Sequence, residues 1–138
     1  MAKQIKCEID GNKVPNVLDV EYGLDVAKDT NGAPTDARPR NRRIMLRFRS
    51  SENSDLWSWA LHPKEEYFKA GKVEFMDPKK ENKVLKTLEW TGGFVENYIE
   101  CQPHIHRKKN DPQYEVIEVS AASITINGVE WKGQGIWI

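Results

Sequence analysis

Residues 37–50 read ARPRNRRIMLRFRS. From Arg43 onward the stretch alternates without a break: Ile44, Leu46 and Phe48 fall on one side of an extended chain, and Arg43, Met45, Arg47 and Arg49 on the other. Period-two alternation marks a strand with one buried and one exposed face. The same stretch holds six of the seven arginines of a 138-residue chain in which Lys+Arg and Asp+Glu both number 21. Such a run suits nucleic acid, a channel wall, a neighbouring subunit, or a solvated strand face with carboxylates on the next strand. The alternation divides the arginines between a loop and the outer face of one strand.

Outward from this strand the pattern stays β-rich. Upstream, KDTNGAPTDARPRN (residues 28–41) is dense in Pro, Gly, Asp, Asn and Thr, and a connection longer than about 12–15 residues in a small domain is usually functional or disordered. Before it, QIKCEI alternates, Asp10-Gly11-Asn12 supplies a turn, and NVLDVEYGLDVA reads as the strand returning from it, with Gly23 as a bulge or close approach. Downstream, SENSDLWSWALHP has helical spacing: Leu56, Trp59 and Ala60 sit at i, i+3 and i+4, Ser51 or Ser54 offers a cap, and Pro63 ends it. EEYFKAGKVEFMD and KVLKTLEW flank a PKKEN turn as a hairpin, and FVENYIEC is a further alternating run. After the polar connection QPHIHRKKNDP, the segment QYEVIEVSAASITINGVEWKGQGIWI gives a long strand, an Asn127-Gly128 turn and a short last strand. About eight strands and one short helix predict a mostly-β fold: a two-sheet β-barrel with a flanking α-helix, as a single domain over 1–138.

Composition narrows the function. With 38% hydrophobic and 30% charged residues the chain is an ordinary polar globular domain. Balanced charge argues against domain-wide attraction to nucleic acid or an anionic membrane. MAKQIKCEID lacks the apolar core of a signal peptide, no apolar run approaches the roughly 20 residues of a membrane span, and two cysteines make no disulfide framework. These features predict a cytoplasmic residence without membrane insertion.

Catalytic patterns are weak. Cys101, His104 and His106, with His62 elsewhere, are the nearest approach to a zinc site, but Pro103 and the adjoining RKKN read as a solvated loop, so neither metal nor cofactor is expected. There is no nucleophile elbow, and Gly92-Gly93 and Gly133-Gln-Gly135 lack the strand-to-helix context of a phosphate loop. An enzyme is not expected. Five tryptophans beside arginines leave one alternative, a monomeric barrel binding single-stranded nucleic acid or oligosaccharide, although core packing is the simpler role for most of them.

The whole chain resembles the tube protein of bacterial type VI secretion systems, the Hcp/TssD family, in its Bacteroidetes branch. The resemblance rests on NVLDVEYGLDVAKDTNGAPTDARPR with its D-x-x-G-x-P loop, IMLRFRSSENSDLWSWALHP, GKVEFMD…VLKTLEWTGGFVENYIE and VSAASITINGVEWK, in that order. It implies a β-barrel that forms homohexameric rings, stacks them into a tube, and is driven out by a sheath with tip and effector proteins, without a signal peptide, nucleic acid or enzymatic activity. Within that frame the loop residues Thr30, Asn31, Asp36, Arg38 and Arg40 are candidates for a ring-stacking or subunit contact. Arg43, Arg47 and Arg49 are candidates for a face turned toward the lumen or a neighbour.

Overall fold

The computed structural model describes residues 5–26, 28–34, 40–80, 82–102 and 113–133, with the side chains of 40–42 outside that description. The described residues form nine strands: β1 (Lys6–Ile9), β2 (Asn12–Lys13), β3 (Val17–Asp25), β4 (Arg40–Arg49), β5 (Lys69–Met76), β6 (Val84–Cys101), β7 (Tyr114–Ser120), β8 (Ser123–Ile126) and β9 (Val129–Lys132). One α-helix, α1 (Asp55–Ala60), and a 3₁₀ turn over Glu65–Tyr67 lie between β4 and β5.

The strands form two sheets that share β6. The first half of β6 lies between β5 and β8, so one sheet runs β2-β1-β5-β6-β8-β9. Its second half pairs with β7, and the other sheet runs β6-β7-β4-β3. The segments KVLKTLEW and FVENYIEC are thus one 18-residue strand, carried through the crossing at Gly92, where φ is 59°. The C-terminal run also changes sheets. It breaks between β7 and β8 at Ala121-Ala122, where the Ala122 amide donates to the Thr91 carbonyl at 2.9 Å. The barrel is open, with β2, β3 and β9 as edge strands among the described residues.

Two local expectations are corrected. The Asp10-Gly11 turn, with φ of 55° and 79°, returns the chain only as the two-residue strand β2. The longer strand β3 leaves that sheet and pairs with β4, because Pro15 has no amide for the ladder and Asn16 sits at φ 69°. The second correction is at the start of α1: neither serine caps it by its side chain. Asn53 Oδ1 instead accepts from the Asp55 amide at 2.7 Å, and Ser51 Oγ accepts from the Asn53 amide at 3.2 Å.

The core is one cluster between the sheets. Ile44, Leu46 and Phe48 of β4 meet Ile117 and Val119 of β7, with Val73, Leu88 and Trp90 facing them from the other sheet. The alternation seen in RIMLRFR is the alternation found. Apolar burial on this scale stabilises by roughly 25 cal/mol per Å² removed from water. Leu56 and Trp59 turn α1 onto this core, while Trp57 stays 51% exposed with its ring edge-on to Tyr98 at 5.4 Å.

Candidate assembly surface

Arg43 and Arg47 lie on the outer face of β4 and are both paired within the chain. Arg43 bonds Glu96 on β6, and its Nη1 lies 3.1 Å from Glu118 on β7. Arg47 Nη2 lies 2.5 Å from Asp19 on β3, and its guanidinium sits 5.3 Å from the centre of the Tyr114 ring. The register explains these partners: Asp19 faces Arg47 across β3–β4, and Glu118 faces Met45 across β4–β7, within diagonal reach of Arg43. These are the carboxylates on the next strand that the alternation pattern anticipates. Being exposed, each pair contributes only about 0–1 kcal/mol. Their larger effect is to remove unpaired charge from the face. Arg49 differs. Its side chain is exposed at the end of β4, and its amide donates to the Asn16 carbonyl at 2.8 Å.

At the other end of the β3–β4 pair, residues 28–34 make an ordered turn. Lys28 bridges Pro34, Asp29 Oδ1 accepts from the amides of Asn31 at 2.8 Å and Ala33 at 3.0 Å, and the Asp29 amide donates to the Ala33 carbonyl at 2.8 Å. Thr30 and Asn31 occupy its exposed tip, and Gly32 takes φ 84° with open space around it. The D-x-x-G-x-P residues therefore build a preformed protrusion. Asp36 and Arg38 lie outside the described residues, as does the side chain of Arg40.

Behind α1 is a cleft of about 190 Å³, walled by the β1–β2 hairpin, the end of β4 and the helix. Glu115, 5% exposed, lines it, and its carboxylate accepts from the Tyr98 hydroxyl at 2.6 Å. Burial, and then the hydrogen bond to Glu115, push the Tyr98 hydroxyl above the usual tyrosine range. Two of the other tryptophans are buried and offer no stacking surface, and Trp131 is half-buried. Trp90 is buried with its Nε1 donating to the Lys69 carbonyl at 3.1 Å, Trp59 is buried, and Trp137 lies outside the described residues. Sequence reasoning missed the cleft because its lining comes from five separate segments that only the fold brings together.

Cys101 is half-buried at the end of β6, while His104 and His106 lie outside the described residues. Among the described residues no group of three His, Cys, Asp or Glu side chains is placed to hold a metal ion. Burial pushes the Cys7 thiol up to about 12, so it stays protonated and unreactive near neutral pH. No helix among the described residues is long and apolar enough to cross a membrane.

Comparison with known proteins agrees with this architecture. The sequence profile of hemolysin coregulated protein Hcp (TssD) matches residues 1–134. Among solved structures, Hcp1 from Flavobacterium johnsoniae is similar at 29% identity and a TM-score of 0.78, over 94% of this chain and 98% of that one. Hcp1 from E. coli EAEC 042 shares the fold at 12% identity and a TM-score of 0.71, over 96% and 98% of the two chains. A chain of the sheath–tube complex of an extracellular contractile injection system shares it at 16% identity and a TM-score of 0.57, over 91% and 89%. No curated protein sequence matches. The open two-sheet barrel, its short flanking helix and a family match over nearly the whole length lead to one conclusion: the chain belongs to the Hcp (TssD) family and is a structural subunit of the type VI secretion tube.

Proposed function

We propose that six copies of this chain close into a ring, and that rings stack head-to-tail into a tube expelled by a contractile sheath together with tip and effector proteins. The observation that carries the reading is the Hcp profile over residues 1–134, joined to the fold's likeness to the Flavobacterium Hcp1 over 94% of the chain. The subunit resides in the cytoplasm before firing and leaves through the machine itself. The tube role requires no catalytic residue.

A ring requires a heterologous contact that closes by rotation, and a tube requires a second contact repeating along its axis. The protrusion at Thr30 and Asn31, continued by Asp36, Arg38 and Arg40, is the axial contact in this reading, with guanidinium–carboxylate pairs across the joint. Arg43 and Arg47, already paired, give the β4 face a low net charge toward lumen or neighbour, and Arg49 extends that face as a cation with no carboxylate partner among the described residues.

Arg38→Glu and Arg40→Glu test the axial role. Each is expected to reduce the sedimentable tube fraction by about tenfold, roughly 1.4 kcal/mol per joint, while far-ultraviolet circular dichroism and melting temperature stay those of the parent. Polymerisation equal to the parent's removes this loop from the axial contact.

A further inference from the structure

The wall of the cleft behind α1 includes a residue whose buried donor the fold leaves unsatisfied. Trp59 is 3% exposed and lines the cleft, yet its indole N–H has no acceptor among the described residues. Buried donors in folded proteins are nearly always paired, so an orphaned indole N–H in the wall of a cleft points to an acceptor arriving from outside. Lys13, Arg49 and Lys69 line the same space against Asp55 and Glu115, and Lys69 Nζ lies 5.7 Å from the centre of the Trp59 ring. The balance of three cations against two carboxylates favours an acceptor with negative character.

We propose that this cleft receives the Asp29–Gly32 tip of a second copy of this chain, with Trp59 N–H donating to it. The inference rests on the tube reading and names the receiving half of its axial contact. Topology supplies the geometry. Pro15, Asn16, Phe48 and Arg49 line the cleft at one end of the β3–β4 pair, and the tip follows Asp25 at the other. At about 3.3 Å per residue, β3 separates the two by about 25 Å, so donor and acceptor lie at opposite ends of the strand pair. That is what head-to-tail stacking needs. The charges agree: the tip brings the Asp29 carboxylate, whose Oδ1 is held in the turn, to a cleft with excess cations. The volume, about 190 Å³, suits one or two residues such as Thr30 and Asn31. The tip's own hydrogen bonds hold it in shape before contact, which lowers the ordering cost of insertion.

Asn31→Arg places a cation on the exposed tip against the cationic cleft. The sedimentable tube fraction should fall at least about tenfold, while ring mass by light scattering is unchanged, which also shows that the variant folds. Adding Arg49→Glu in the same chain should recover most of the lost polymer. Trp59→Phe, which keeps the ring and removes the donor, should lower the tube fraction several-fold with rings retained. Asn31→Arg tubes equal to the parent's, or no recovery on adding Arg49→Glu, would overturn the cleft as acceptor and leave the tube reading standing. A parent that forms neither rings nor tubes would overturn both.

Discussion

Trp90 occupies the space that Gly71 and Gly93 leave open. A Cβ on Gly71 would fall inside the indole ring, and one on Gly93 would meet Trp90 Nε1 and the Lys69 carbonyl. The two glycines are required here for close approach, not for unusual backbone angles. Gly71→Ala is therefore expected to destabilise by about 1–3 kcal/mol through overpacking, lowering the melting temperature by roughly 3–10 °C; an unchanged melting curve would show that the indole has another place to go. From the sequence, the tryptophans were legible as core in general terms. The partnership of Trp90 with glycines 19 positions before it and three after it was not, since it depends on the β5–β6 register, where Gly71 sits opposite Trp90. The arginines show the same division. Their outward direction follows from alternation alone, whereas Arg43 meeting both Glu96 and Glu118 depends on which strands flank β4 and on a register shift between Val95 and Asn97.

At the scale of elements, turn chemistry made most of the hairpins readable. Asp10-Gly11 and Asn127-Gly128 both take positive φ, as two-residue hairpin turns demand, and Pro63 follows soon after α1. Crossings between sheets were less legible. β6 and the β7–β8 run each serve both sheets, and local periodicity does not record which partner a strand takes on each side. The shared strand is tied at two points. Thr91 Oγ1 and Ser123 Oγ lie 2.5 Å apart beside the crossing, and Tyr98 near the far end of β6 donates to buried Glu115 on β7. Tyr98→Phe removes the donor and leaves the carboxylate short of a partner, a loss of about 1–3 kcal/mol. Urea denaturation should show this as a lower midpoint at unchanged slope. A midpoint equal to the parent's would mean that water or another group satisfies Glu115. The Tyr98 hydroxyl is harder to ionise folded than unfolded, so its contribution to stability is complete below the ordinary tyrosine pKa and is lost as pH rises above it.

For the whole molecule, the question raised by ARPRNRRIMLRFR has a divided answer. Arg43 and Arg47 neutralise carboxylates within their own sheet, while Arg49 stands at the mouth of the cleft behind α1. A zero net charge with internally paired arginines suits a subunit that packs against copies of itself better than one that grips a polyanion. Fold class, family and tube role were legible because they depend on the order of whole segments. Of the axial contact proposed above, the sequence could nominate only the protruding half, because the D-x-x-G-x-P tip is contiguous in sequence and the lining of the cleft proposed to receive it is not. Central to the account is assembly into rings of six, and native mass in solution tests it most directly. Light scattering after size exclusion, with negative-stain images of the same peak, should give six times the 15.9 kDa protomer mass and ring-shaped particles. A single 15.9 kDa species at high concentration and moderate salt, with no rings on the grid, would contradict it.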